Sequence, residues 1–150
     1  MPSSSSNTHA NATPDGVVFV CLLINNYTGR NLGSMYKSTA WKKKRAAILR
    51  RDHYRSQLAA RYGRNVSGDT VHHMLPLEFF PEYRLKDWNL ITITQEEHNR
   101  LHDRETHRLT AEGLALARRA ALKAGLDVEE VMRKLEGDDE ESKDEADRDR

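Results

Sequence analysis

The sequence predicts an α+β fold: a strand–loop–strand–helix centre, helices on either side, and unstructured ends. Three observations predict it. Two short β-favourable stretches, Thr70–Leu75 (TVHHML) and Leu90–Ile93 (LITI), are separated by an irregular aromatic loop. The sequence Thr94-Gln-Glu-Glu97 follows the second stretch at once and has the form of a capping box, so a helix opens there. The chain of 150 residues is 37% hydrophobic and 31% charged, above the roughly 25% charge of ordinary globular chains, so one small core with loose ends is expected.

In chain order, residues 1–16 are rich in Ser, Asn, Thr and Pro without periodicity and read as disordered. Val17–Ile24 (VVFVCLLI) reads as a short buried strand or a stray apolar extension, far below the about 20 residues that cross a bilayer. No Lys or Arg precedes it and Asn25-Asn26-Tyr27 is not a small-residue cleavage site, so a soluble, cytoplasmic protein with no membrane partner is expected. Cys21 is the one cysteine, which rules out a disulfide framework and a thiolate-only zinc site. Asn25–Ser34 reads as loop. Ser38 or Thr39 then caps a helix running to about Asp52, with Trp41, Ile48 and Leu49 on one stripe. Tyr62–Asn65 and Ser67–Asp69 are turn material. The first strand stops at Pro76, because the residues before a proline avoid helical geometry. Phe79, Phe80, Tyr83 and Trp88 in the following loop read as core. The capped helix at Thr94 is expected to reach about His107. Thr110 caps another that ends near Gly125, and Asp127-Val-Glu-Glu130 forms a second capping box before an amphipathic segment with Val128, Val131, Met132 and Leu135 on one face.

Charge is unevenly distributed. Lys37, Lys42, Lys43, Lys44, Arg45, Arg50, Arg51, Arg55, Arg61 and Arg64 face a single acid, Asp52, whereas the tail from Gly137 to Arg150 (GDDEESKDEADRDR) is strongly acidic and lacks large apolar residues. That tail is expected to stay solvated and disordered. The basic block suits a polyanion, since phosphate contacts release condensed counterions. A solvated helix face is an equally available reading of the block taken alone.

Of 7 histidines, His72, His73, His98 and His102 lie around the predicted strands and helix. His98 and His102 are four apart, a spacing that lets two imidazoles on one helical face share a transition-metal ion. Surface histidines are the alternative. His72 and His73 are adjacent, and adjacent strand residues point to opposite faces, so both enter one site only if the strand ends or twists there. Asn89 sits before the second strand, where it can orient His73 through the loop or simply serve a turn. His53 is read as a helix C-terminal or phosphate-facing residue and His107 as surface; Asn99 lies between His98 and His102, but Asn89 has the better spacing.

Tyr36-Lys-Ser-Thr-Ala-Trp41, Arg51-Asp-His-Tyr-Arg55, Val71-His-His-Met-Leu-Pro76, Asn89-Leu90 and His98-Asn-Arg-Leu-His102 together resemble the HNH endonuclease family. The resemblance runs from about Tyr36 to His102 with the motifs in the family's order. It implies a ββα-metal (His-Me finger) core with flanking α-helices. It further implies a general base at His73, a positioning residue at Asn89, and metal ligands at His72, His98 and His102. Many small members also carry two Cys-x-x-Cys knuckles around a structural zinc ion. In that register this chain has Ser56 and Ala59, then Thr94 and Glu97, so no zinc knuckle is expected and the Thr94/Glu97 box is expected to replace part of the lost anchor.

The expected organisation is a disordered or loose segment 1–34, a nuclease domain 35–108, C-terminal helices 109–136 and an acidic tail 137–150. Met35 would also serve as a start just before the matching region. The expected activity is metal-dependent hydrolysis of DNA phosphodiester bonds with one divalent ion (Zn, Ni, Co, Mn or Mg). Lys42, Lys43, Lys44, Arg45, Arg50 and Arg51 would hold the DNA backbone. Small members of this kind often come from phages, which suggests a phage-encoded or bacterial host-cell setting. The alternatives are a non-catalytic, metal-stabilised DNA-binding protein and a phage DNA-packaging adaptor that meets terminase proteins.

Overall fold

The computed structural model describes residues 32–137. The expectations for residues 1–16, Val17–Ile24, Cys21 and the acidic tail lie outside the described residues. Helices α1 (Leu32–Lys37), α2 (Thr39–Arg51) and α3 (Gln57–Arg61) precede strand β1 (Thr70–His73). Two single-turn 3-10 helices, Pro81–Tyr83 and Asp87–Asn89, shape the loop to β2 (Leu90–Ile93), and α4 (Gln95–Leu101), α5 (Ala111–Ala124) and α6 (Val128–Glu136) follow. The centre is ββα, as the pattern predicts. No helix among the described residues is long and apolar enough to cross a membrane.

The two strands pair antiparallel, with Thr70 opposite Ile93, Val71 opposite Thr92, His72 opposite Ile91 and His73 opposite Leu90. Side chains alternate between faces along a strand. Val71 and Leu90 therefore meet Trp41, Ile48 and Leu49 of α2 in one apolar cluster. Ile91 and Ile93 join Leu101, Leu116, Ala117 and Val131 of the later helices in the other. Both strands are buried throughout, so this small sheet is a partition between two cores. The aromatic loop belongs to the second core: Phe80 is buried, and Tyr83 and Trp88 pack beside it.

Helix boundaries follow their caps. Ser38 Oγ accepts from Trp41 N, Thr110 from Gly113 N, and Asp127 from Glu130 N. Gly125 ends α5 in the left-handed conformation with φ 69°, where a side chain would be strained. Two expectations need correction, and one element is additional. Asn25–Ser34 is not all loop, because α1 begins at Leu32; Met35 and Tyr36 of this helix pack onto the Trp41 cluster. The segment after α2 holds the short helix α3, nucleated by Ser56, whose Oγ accepts from Ala59 N. The helix from Thr94 stops at Leu101, six residues short of His107. At His102 the backbone turns extended and pairs with Leu109, and the Asp103 carboxylate takes the amides of Glu105 and Thr106.

Two polar ties hold the layers in register. Asp52, the lone acid of the basic block, caps α2, accepts from Thr92 N of β2 at 2.8 Å and receives a two-pronged contact from Arg51. The second tie joins the four positions where zinc knuckles would stand. Ser56 Oγ, buried, donates to Glu97 Oε2 at 2.5 Å; the same oxygen accepts from Thr94 N, while Thr94 Oγ1 accepts from Glu97 N. Ser56 also caps α3 through Ala59 N. The capping box thus extends into a link between α3 and α4. Gly68 completes the packing, since a Cβ there would meet Thr92 Cγ2 at 2.9 Å and Ser56 N at 3.0 Å.

Breaking this link should be costly. Ser56→Ala leaves a buried carboxylate short of a donor and is expected to lower stability by about 1–3 kcal/mol. Because Ser56→Ala and Glu97→Gln strike one network, the double variant should lose less than the sum of the singles. Urea midpoints of the three variants measure this, and strict additivity would contradict the network.

Candidate metal centre

The alternation of β1 sends its two histidines in opposite directions. His72 faces α4, where its ring lies 5.4 Å from that of His98 and 5.5 Å from that of His102; the latter two are 5.1 Å apart. One ligand nitrogen from each lies within 4.8 Å of the others. His98 projects from α4, but His102 does not: it is the extended C-cap residue with φ −122° and ψ 136°. The four-residue spacing therefore works through a helix end rather than along a helical face.

The electrostatics favour unprotonated rings. His72 is held well below the usual histidine range by burial, with the neighbouring imidazoles His98, His102 and His73 adding to it. His98 is pushed down to about 4 by burial and then by His102. Burial also lowers His102, with the nearby main chain of His107 opposing and the charge of the His107 ring adding to the lowering. His72 Nε2 is buried and has no hydrogen-bond partner. A buried imidazole nitrogen without a partner is costly unless something accepts its lone pair or its proton. Three neutral imidazoles, one with an orphaned nitrogen, fit a divalent transition-metal ion, which borderline-soft nitrogen ligands suit.

His107 was read as a surface residue. Its side chain is half-buried, and its backbone adopts φ 58°, uncommon for a non-glycine residue. Both its main chain and its imidazole act on His102, in opposite senses, and no sequence signal marks such a role.

His73 stands apart from the three. It is 6% exposed, stacks on Trp41 at 5.0 Å with 18° between ring planes, and meets the Tyr36 edge at 6.1 Å. Its Nε2 lies 2.9 Å from the Arg84 carbonyl. Burial drives it down to about 4, with the Arg84 bond opposing. Asn89 does not touch His73. Fully buried, it receives Leu75 N at 2.7 Å and donates to the carbonyls of Leu75 and Tyr83. It therefore braces the loop whose next carbonyl, that of Arg84, meets His73. Asn99 is exposed and accepts from Gln95.

The basic residues divide. Lys42, Lys43 and Arg50 are exposed on α2. Lys44 is 2.7 Å from Asp87, and Arg45 donates to the Asp69 carbonyl. Arg51, though exposed, is held by Asp52 and by the carbonyls of Asp87 and Leu90.

No protein-family model and no curated protein matches the chain. Among solved structures, it is similar to the crystal structure of the deep-sea thermophilic bacteriophage GVE2 HNH endonuclease with manganese ion. The chain resembles an HNH endonuclease. Identity is 26%, the match covers 53% of this chain and 86% of the other, and the TM-score is 0.48.

The lowered imidazoles make stability depend on pH. From 6.5 down to about 4 the unfolded chain takes up protons that the buried rings of His73 and His98 refuse. Stability is thus full above the unfolded value and falls as pH drops through that window. In EDTA, urea midpoints should decline steadily between pH 7 and pH 4.5, and a flat profile would contradict neutral burial. Metal analysis supplies a second check: a His72/His98/His102 triple alanine variant should purify without bound zinc.

Proposed function

We propose that the protein is a metal-dependent endonuclease of the HNH kind, hydrolysing phosphodiester bonds in DNA, with the active residues in 35–108. The observation that carries this reading is the convergence of His72, His98 and His102, unprotonated, around a buried and unpartnered imidazole nitrogen. These residues would hold one divalent ion, whose chemistry when bound is to neutralise charge on the phosphoryl group and the departing oxygen.

His73 is the general base of this reading. Its Nε2–H donates to the Arg84 carbonyl, which fixes the tautomer and leaves the Nδ1 lone pair to accept a proton. Trp41 holds the ring plane from one side, and Asn89 holds the loop that carries the carbonyl. Water gives a proton to Nδ1 as its oxygen attacks phosphorus; the bond to the 3′ oxygen breaks and that oxygen takes a proton from solvent, leaving 5′-phosphate and 3′-hydroxyl ends. Lys42, Lys43 and Arg50 offer exposed charge to the backbone, contacts that position DNA without reading its sequence. Lys44, Arg45 and Arg51, committed to internal partners, are weaker candidates for that task.

The burial of His73 favours a second reading, a metal-stabilised protein that binds DNA without cutting it. Plasmid nicking separates the two. Supercoiled DNA with Mg, Mn, Co, Ni or Zn should be nicked by the wild type, not in EDTA, and at least about 100-fold more slowly by His73→Ala, a loss typical of a general base. Duplex binding with no nicking under any metal would establish the second reading; full activity in His73→Ala would mean another base.

A further inference from the structure

Away from the imidazoles, α3, α4 and α5 enclose a cleft of about 120 Å³ whose wall is unusual in charge. Arg61 of α3, Arg64 of the turn after it, Arg100 of α4 and Arg119 of α5 all line it, over an apolar floor that includes Leu58 and Leu116. On α4, Arg100 is two residues beyond His98, about 200° around a helix of 3.6 residues per turn, so the cleft opens on another side from that ligand.

Bringing guanidinium groups together costs energy unless an anion compensates them. Two carboxylates line the cleft. Glu97 is buried and already accepts from Ser56 and Thr94, and Glu112 is 4.0 Å from Arg100. Among the described residues no carboxylate lies within ion-pair distance of Arg61, Arg64 or Arg119. Arg61 is instead lowered by burial and by the charge of Arg119, with Tyr62 opposing. Tyr62 stands at the rim, 77% exposed, with Arg64 6.0 Å from its ring centroid. Arginines interleaved with an exposed aromatic ring suit nucleic acid, where backbone charge and stacking act together. The cleft has room for one phosphoryl group over its apolar floor, with the flanking sugar or base against Tyr62.

We infer that this arginine cleft is a second DNA contact, in which Arg61, Arg64 and Arg119 hold a backbone phosphate and Tyr62 packs against the adjoining nucleoside. The inference goes beyond the nuclease reading and does not depend on it, since a DNA-binding protein without catalysis would use the same surface.

The test uses the full-length chain and a fluorescein-labelled 30-base-pair duplex, titrated by anisotropy between 50 and 200 mM KCl. Arg61→Gln/Arg119→Gln should weaken binding about tenfold at 100 mM KCl and flatten the log K against log salt slope by about 0.9, the value of one phosphate contact on duplex DNA. Arg104→Gln/Arg133→Gln removes the same charge elsewhere and should change both much less. Tyr62→Ala should weaken binding with little change in slope. Circular dichroism checks folding; should the double variant unfold, Arg64→Gln on the exposed turn serves instead and should weaken binding and flatten the slope by up to about 0.9. Equal behaviour of the cleft variant and the charge control overturns the assignment. So does loss of inorganic phosphate binding in the cleft variant with duplex affinity at the control level, which would make this a small-anion site. Absence of nicking in every sample bears on the nuclease reading alone.

Discussion

The two-residue period of a β-strand organises this protein. His72 and His73 are neighbours in the chain, yet a buried strand must send them to opposite faces. One enters the compartment built by α4, α5 and α6; the other enters the compartment built by α1 and α2. Each needs its own polar arrangement there, because an imidazole removed from water must find partners for its nitrogens. His73 finds the Arg84 carbonyl and the face of Trp41. His72 finds two more imidazoles and leaves a nitrogen unanswered. Chemistry that uses both must take place where the strand ends and the faces meet.

A partition this thin needs bracing, and the bracing is polar. Asp52 clamps α2 to β2, while Ser56, Thr94 and Glu97 join α3 to the start of α4. Hydrogen bonds of this type contribute about 0.5–3 kcal/mol each, well short of the roughly 10–16 kcal/mol of a structural zinc site. The remainder falls to packing. Helices α5 and α6 supply it, through Leu116, Ala117, Ala120, Ala121 and Val131 against the sheet and α4. Close approach is part of this: a Cβ on Gly113 would press on the Leu101 carbonyl.

Much of this was legible in the sequence, for local reasons. The caps at Ser38, Thr94, Thr110 and Asp127 lie where the side chains announce them, and β2 has the expected ends, because these features depend on residues a few positions apart. The grouping of the three imidazoles follows from the resemblance to the HNH family, not from the spacing of His72, His98 and His102 alone. What escaped notice depends on distant partners. Leu32–Lys37 is helical although turn-forming residues precede it, and Met35 and Tyr36 find their partners on α2. Arg51 looks like one more basic residue until Asp52, Asp87 and Leu90 are seen to surround it. The convergence of Arg61, Arg64, Arg100 and Arg119 spans three helices and leaves no pattern in the chain.

The left-handed backbone of His107 has a further consequence. What position 107 must supply is a shape: a φ of 58° in the turn that returns the chain to pair Leu109 with His102. Glycine or asparagine would adopt that shape at least as readily as histidine. Position 107 is therefore open to drift in side-chain identity while remaining tightly constrained in geometry. Such a site stays intact through substitutions that would make it unrecognisable to any comparison of letters.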